Sequence, residues 1–202
     1  MSDAKSRYGA ADVVYAVAFQ PDTAPPRLQV ALAIADTLWR PADRERLTVL
    51  DIGCGRGLTA CLLAAANPDW DVIGLDLQPA HVAEAREVAA AAGIGNARFI
   101  EADLAEFDAE SAARLLPEVD VVICYGVWTW VPDAAREGIV RLLKSRVKPG
   151  GIVYMGYNAL PGCRLRDLAR DVMLYATRDI TEPTERVRVA RAALAAFAAA
   201  SD

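Results

Sequence analysis

Short apolar segments alternate with helical segments over residues 46–158, and this alternation restricts the fold more than any other feature of the sequence. The apolar segments have no polar face, as is typical of the buried strands of a parallel sheet. They read RLTVLDIG, WDVIGLDL, ARFIEADL, VDVVICYG and IVYMGYN. The pattern predicts an α/β fold, a Rossmann-like doubly wound parallel sheet of at least five strands, with a turn at 149–151 before the last strand. The carboxyl ends of such strands share one edge, where ligands bind.

The chain is predicted to have three regions. Residues 1–45 form an N-terminal segment with a helix in PPRLQVALAIADTLW, 46–160 form the sheet domain, and 161–202 form a helical extension that could begin a second domain. The sheet would end at its fifth strand and leave an unpaired edge. We expect the helices of 163–200 to cover this edge. Association of two copies, or a separate C-terminal domain, is the alternative.

Composition disfavours several classes of protein. The net charge of −5 gives no sign of a basic face, so we expect no nucleic-acid partner. The N-terminus lacks the apolar core of a signal peptide and no apolar run reaches about 18 residues, so we expect a cytoplasmic protein without membrane insertion. The four cysteines form no C-x-x-C pair, and with the single histidine they give no zinc set, so we expect no metal. His81 follows a proline at a predicted helix start and is expected to face solvent.

A glycine-rich turn follows the first predicted strand, with Gly53, Gly55 and Gly57 at alternate positions. A dinucleotide-binding loop would need a small residue where Leu58 stands. Asp51 precedes the turn, and its negative charge would oppose a pyrophosphate but suits a cation. S-adenosyl-L-methionine carries an ammonium and a sulfonium and no phosphate. The loop therefore favours this cofactor, with S-adenosyl-L-homocysteine as its product, although a capping role for Asp51 is the simpler alternative.

Acidic residues also end the next two predicted strands. Asp76 lies about 20 residues beyond the loop, where an acid can accept hydrogen bonds from both ribose hydroxyls. Asp103 is placed to accept the adenine amino group. Leu77 and Leu104 follow these acids directly. Helix capping could explain any one of the acids, but three at successive strand ends indicate a nucleoside site.

With these residues, the chain resembles class I S-adenosylmethionine-dependent methyltransferases over residues 47–157. The resemblance rests on VLDIGCGRG, VIGLDL, FIEADL, VVICYG and VKPGGIVYMGYN in this order. Further segments resemble bacterial methyltransferases that carry a methyltransferase regulatory domain: YAVAFQPDTAPPRLQVALA, GVWTWVPDAARE, GYNALPGC and RDVMLYATRD. That family includes protein-lysine methyltransferases acting on outer-membrane proteins, and its members are typically longer.

The resemblance implies a leading segment that folds over the cofactor, with Tyr8, Tyr15 and Phe19 in it. The cofactor-binding residues expected from the loop, the strand ends and the resemblance are Tyr15, Asp51, Gly53, Cys54, Gly55, Asp76, Leu77, Asp103, Leu104, Tyr125 and Gly126. This chain departs from the family near the expected reaction centre. Tyr125 stands where the family usually has histidine, Trp128 where it has tyrosine, and Cys163 where it has tryptophan.

The acceptor side of the site should come from the ends of the fourth and fifth strands. The candidate catalytic residues are Tyr125, Trp128, Tyr157 and Asn158. The three aromatic residues among them could hold an amine through cation–π contacts, whereas Asn158 could equally hold only a turn. Trp130 is interpreted as a core residue.

The leading hypothesis is methyl transfer by in-line displacement, to a protein lysine or another amine. The alternative is a cofactor-binding regulatory or interaction module without turnover of its own. A nicotinamide-dependent oxidoreductase is disfavoured by Leu58 and by the lack of a Tyr-x-x-x-Lys set.

Overall fold

The computed structural model describes residues 18–41 and 46–200, which divide into two compact units, 18–157 and 158–200. The first unit alternates strands and helices. Its strands are β1 (Thr48–Ile52), β2 (Asp71–Asp76), β3 (Ala97–Glu101), β4 (Val119–Tyr125) and β5 (Val147–Gly156). Its helices are α1 (Pro25–Ile34), α2 (Leu58–Ala66), α3 (Pro79–Ala91), α4 (Ala109–Leu115) and α5 (Asp133–Arg146), with 3₁₀ turns at Pro21–Thr23 and Leu104–Glu106.

The strands form one parallel sheet in the order β3-β2-β1-β4-β5. This confirms the predicted Rossmann-like doubly wound sheet. The strand order reverses beside β1, so the first two crossovers lie on one face and the later ones on the other. All five carboxyl ends meet at the edge where β1 runs into the glycine loop. The fold therefore brings the strand-end residues 52, 76, 101, 125 and 156 to one rim.

Each face of the sheet has its own core. Val49, Val72 and Ile123 pack with apolar residues of α1, α2 and α3, whereas the alternate residues Leu50 and Ile73 pack with residues of α4 and α5. Because successive side chains of a strand point to opposite faces, a strand buried on both faces must be apolar throughout. This is why the sequence pattern predicts these strands well.

The fifth strand begins earlier than predicted. β5 starts at Val147, so the Pro149–Gly151 turn lies within the strand and not before it. Across the sheet, β4 advances from Val119 to Val121 while β5 advances from Val147 to Ile152, which makes a bulge. Trp39 Nε1 donates to the carbonyl of Gly150 at 3.0 Å. The glycine and proline thus mark a bulge in a paired strand.

The second unit contains two helices, α6 (Arg164–Ala176) and α7 (Pro183–Ala199), as the sequence predicts. Glu182 caps α7 by accepting the N–H groups of Thr184 and Glu185. That these helices cover the edge of β5 stays a prediction, as do the alternatives of a homodimer and a separate C-terminal domain. Among the described helices, none is long and apolar enough to cross a membrane.

Candidate functional site

The glycine loop turns through three residues with left-handed backbone: φ is +71° at Gly53, +54° at Gly55 and +77° at Gly57. Four backbone N–H groups of the loop have acceptors within the protein, mostly in β2. The carbonyl of Leu75 accepts the N–H of Gly53 at 2.8 Å and of Cys54 at 3.0 Å. The N–H of Gly55 donates to Asp76 Oδ2 at 2.8 Å, and that of Gly57 to the carbonyl of Cys54 at 3.0 Å.

These hydrogen bonds argue against a phosphate ligand. Loops that cradle phosphates do so with backbone N–H groups aimed at the anion. Here the N–H groups of Gly53, Cys54, Gly55 and Gly57 already have acceptors, one of them a carboxylate. A pyrophosphate would find occupied donors and the negative charge of Asp76. The loop fits an uncharged or cationic ligand better.

The three glycines meet different surroundings. A Cβ on Gly53 would lie 2.3 Å from Val127 Cγ2, and one on Gly57 would lie 2.6 Å from Ala85 Cβ. A Cβ on Gly55 would have no atom within 4 Å. Gly53 and Gly57 are therefore required by packing inside the protein, whereas Gly55 borders open space where a ligand can approach the backbone.

Asp51 is buried within β1, with 5% of its surface exposed. Burial, and secondarily the charge of Asp76, raises the pKa of Asp51 from 3.8 to about 7. Within residues 18–41 and 46–200, no group donates a hydrogen bond to its side chain. Its backbone pairs with Gly74 of β2 and Ile123 of β4. A cation placed against this carboxylate would remove much of the cost of ionising it.

Asp76 joins the loop to the start of α3. Its carboxylate accepts the N–H of Gly55 and, at 2.9 Å, the N–H of Gln78. His81 Nδ1 lies 3.3 Å from Asp76 Oδ1, and the histidine side chain is only 14% exposed. The expectation that His81 faces solvent is therefore wrong. The first turn of α3 directs His81 back toward Asp76, which fixes this acid at the rim.

Asp103 lies at the same rim but caps a helix. Its Oδ1 accepts the N–H of Ala105 at 2.9 Å at the start of the 3₁₀ turn. The capping alternative thus accounts for part of its role. Leu77 is half-buried, and Leu104 packs partly against the core beneath α5. Contact of these three residues with a cofactor stays a prediction.

The two tryptophans after β4 differ in how far they are exposed. Trp128 is half-buried and packs against the α4–α5 core, whereas Trp130 is 62% exposed. The interpretation of Trp130 as a core residue is therefore wrong. The chain leaves the sheet at Gly126, where φ is +69°, and turns over 128–130. In a turn, alternation along the chain no longer indicates which side chain faces inward.

Tyr125 stands at the end of β4 and is 45% exposed, and Tyr157 just after β5 is 61% exposed. Both rings are accessible at the rim side of their strands. Asn158 belongs to the second unit, where Arg166 donates to its Oδ1 at 3.0 Å. The roles of these three residues and of Trp128 at the reaction centre stay predictions.

The leading segment is only partly described. Tyr8 and Tyr15 lie outside the described residues. Phe19 is 39% exposed, and the neighbouring N–H of Gln20 donates to Thr59 Oγ1 in α2 at 3.3 Å. The chain entering α1 is therefore anchored to the first turn of α2, directly after the glycine loop.

Cys54, Cys61 and Cys124 are not poised as nucleophiles. Burial, together with the charges of Asp51 and Asp76, raises the pKa of Cys54 far above its usual range. Burial raises the pKa of Cys124 to about 12 and also raises that of Cys61. In the part of the chain that the structure describes, no group of His, Cys, Asp and Glu could hold a metal ion.

Three residues near the rim were not singled out from the sequence: Val127, His81 as a partner of Asp76, and Tyr154. Val127 packs against the bare Cα of Gly53. Tyr154 stacks on Tyr125, with ring centroids 6.4 Å apart and an interplanar angle of 22°. Strand register would have been needed to find Tyr154, since it lies about 30 residues from its partner in the sequence.

The sheet order, the bend with satisfied amides and the acids at the rim define a nucleoside-binding α/β domain. The family is more specific: a model describing a methyltransferase domain matches residues 49–151, just over half of the sequence, and the chain belongs to that family.

Individual relatives agree with this assignment. The chain is 30% identical to an uncharacterized protein of Synechocystis sp. over 85% of its own length and 33% of the relative. It is 34% identical to trans-aconitate 2-methyltransferase of Methylobacterium radiotolerans, over 56% of its length and 38% of the relative. The chain thus spans about a third of the length of these proteins.

Solved structures are similar as well. PKMT2 from Rickettsia typhi, in complex with AdoHcy, matches 94% of this chain and 35% of its own with a TM-score of 0.76 and 25% identity. A SAM-dependent methyltransferase from Thiobacillus denitrificans, in complex with S-adenosyl-L-homocysteine, matches 76% of this chain and 56% of its own with a TM-score of 0.52 and 27% identity.

Proposed function

We propose that this domain binds S-adenosyl-L-methionine at the carboxyl rim of its sheet and transfers the methyl group to an amine, with a protein lysine as the acceptor. Asp51 is the observation that carries the cofactor assignment. A buried carboxylate without a described hydrogen-bond donor is costly unless a cation joins it. The ammonium of the methionine moiety is such a cation.

The described residues around Asp51 fit the rest of this cofactor. Gly55 leaves open space beside the backbone, and the occupied loop amides offer nothing to a phosphate. Asp76 Oδ1 accepts the N–H of Gln78 and faces His81, whereas Oδ2 accepts the N–H of Gly55 and keeps a lone pair for a ribose hydroxyl. The bound cofactor would supply a methyl group on a sulfonium. The protein aligns the acceptor and excludes water.

The proposal of an amine acceptor rests on the aromatic residues of the rim and on the resemblance to protein-lysine methyltransferases. Tyr125 and Tyr157 are accessible, and Trp128 lies in the turn between them in sequence. Aromatic rings favour a cationic or methylated amine, and a site with little water lowers the pKa of a lysine toward the reactive neutral form.

Two experiments test the proposal in order. Calorimetry with S-adenosyl-L-homocysteine and with a nicotinamide dinucleotide should show binding of the first alone. Incubation of bacterial lysate with isotopically labelled cofactor, read by mass spectrometry, should then show labelled lysines. Binding without any labelled product would favour the alternative of a cofactor-binding module.

The acceptor assignment has its own test. Tyr157→Leu and Trp128→Ala, which each remove an aromatic ring, should slow amine labelling while S-adenosyl-L-homocysteine still binds. Unchanged labelling in both variants would refute a holding role for these aromatic residues. Labelling confined to hydroxyl or carboxylate groups would refute the amine acceptor but keep the cofactor.

A further inference from the structure

The ring of Tyr125 is held by a second tyrosine. Tyr154 of β5 pairs across the sheet with Ile123 of β4, two residues before Tyr125. Since alternate residues of a strand share a face, Ile123, Tyr125 and Tyr154 all lie on the same face of the sheet. Here the two tyrosine rings stack at 6.4 Å with 22° between their planes.

A glycine lets the Tyr125 ring lie over β5. Gly156 is the partner of Tyr125 in the sheet, and a Cβ there would lie 2.7 Å from Tyr125 Cδ2. The carbonyl of Gly156 also accepts the N–H of Gly126 at 3.2 Å, which fixes the backbone just after the tyrosine. The ring therefore has a backbone beneath it and an aromatic ring beside it, while almost half of its surface faces outward.

Asp51 lies on this same face. Its partner in β4 is Ile123, so Tyr125 is two residues further toward the rim, or about 7 Å along the strand. The ammonium and the sulfonium of S-adenosyl-L-methionine are separated by three carbon atoms. A methionine moiety whose ammonium meets Asp51 and which extends toward the rim would bring its sulfonium to the Tyr125 ring.

We propose, on the basis of the proposed function, that the Tyr125 ring contacts the sulfonium of the bound methyl donor and that Tyr154 is a positioning residue that holds this ring. A ring face attracts a cation, and the product S-adenosyl-L-homocysteine has lost this charge. The pair of tyrosines therefore makes the site prefer the methyl donor over the product. This preference would favour exchange of product for fresh donor.

The test measures the dissociation constants of S-adenosyl-L-methionine and S-adenosyl-L-homocysteine for the full chain by calorimetry and compares their ratio. A general loss of folded protein affects both ligands equally and leaves the ratio unchanged. Tyr125→Leu and Tyr154→Leu should each lower the preference for the donor about three- to tenfold, as expected for one cation–π contact. Tyr154→Phe keeps a stacking ring and should keep the ratio. Tyr175→Leu, on the exposed side of α6, is the matched control.

The outcomes separate the two proposals. An unchanged ratio in Tyr125→Leu would overturn the sulfonium contact, and an unchanged ratio in Tyr154→Leu alone would overturn the positioning role. Wild-type protein that binds neither ligand would instead refute the proposed function. If Tyr154→Leu does not fold, ¹⁹F NMR of fluorotyrosine-labelled wild-type protein decides. The resonances of Tyr125 and Tyr154 should shift more with donor than with product, and equal shifts overturn the proposal.

Discussion

Replacing Asp51 by asparagine should stabilise the free protein at neutral and alkaline pH while weakening cofactor binding. Burial and Asp76 raise the pKa of Asp51 from 3.8 to about 7 in the folded state. Between these two values the unfolded chain has lost the proton and the folded chain still holds it. Because the folded state then binds more protons, the free energy of unfolding falls as the pH rises. Above the folded pKa the full cost is present, and below pH 4 none of it is.

The magnitude follows from the shift. A rise of about 3 pKa units corresponds to about 4 kcal/mol at pH 8 and above, and to about 2 kcal/mol at pH 5. The asparagine does not ionise, so its own burial cost is the same at every pH. The stability difference between variant and wild type should therefore grow by about 2 kcal/mol from pH 5 to pH 8.5. For a chain of this size that is about 4–8 °C in melting temperature.

Thermal or urea unfolding across this pH range measures the difference. Asp120 offers a matched control, because it is 6% exposed on neighbouring β4 but accepts hydrogen bonds from the N–H of Thr48 and from Lys148 Nζ, both at 2.8 Å. Asp120→Asn should destabilise the protein by about 1–3 kcal/mol at pH 8, the opposite sign, because Lys148 loses its charged partner. If the free energies of unfolding of Asp51→Asn and the wild type changed in parallel with pH, the reasoning about Asp51 would be refuted.

The same substitution, Asp51→Asn, should weaken cofactor binding although it stabilises the free protein. A ligand ammonium requires the ionised carboxylate, so binding at pH 7 should release about half a proton, seen as a dependence of the calorimetric enthalpy on the buffer. Asp51→Asn should abolish this release and weaken S-adenosyl-L-homocysteine about tenfold or more, the value of a hydrogen bond between charged groups. Equal affinity in variant and wild type would contradict the placement of the ammonium.

The remaining predictions concern the loop and the turn after β4. Gly57→Ala should lower stability by about 2–4 kcal/mol, because its Cβ would lie 2.6 Å from Ala85 and the backbone is left-handed. Gly55→Ala should cost only about 1 kcal/mol in thermal melts but should weaken S-adenosyl-L-homocysteine in calorimetry, and a larger stability loss than at Gly57 would contradict this reading. Trp130→Ala should change the free energy of unfolding by less than about 0.5 kcal/mol because its side chain is exposed. Trp128→Ala should lower the free energy of unfolding by about 2 kcal/mol or more because its side chain packs against the core.

Much of the sheet could be predicted because its three inner strands, β1, β2 and β4, are buried on both faces. Leu50 and Val49 face different cores, yet both must be apolar, so an uninterrupted run of apolar residues indicates the strand. Three glycines at alternate positions after a strand also predicted the loop, although only the structure shows that Gly53 and Gly57 are required by packing and that Gly55 alone borders open space. The acid at Asp51 was recognised from its position, although its burial and raised pKa required the structure.

Other features depend on contacts that no local pattern contains. His81 faces Asp76 because of the angle at which α3 starts, and Tyr154 meets Tyr125 because of the register of β4 and β5. Trp130 was misassigned to the core because a turn, not a strand, carries it. The bulge in β5 was missed because Pro149 and Gly150 are usually outside paired strands.

The carbonyl of Leu75 has a consequence for the kinetics of the site. By accepting two amides of the bend, it sets the shape of that bend from the adjacent strand, before any ligand arrives. The amides of Gly53 and Cys54 should therefore exchange slowly with deuterium in the free protein and change little on saturation. A nucleoside would then enter a preformed binding site. Its association rate would depend on how accessible the rim is and not on a rearrangement of the bend.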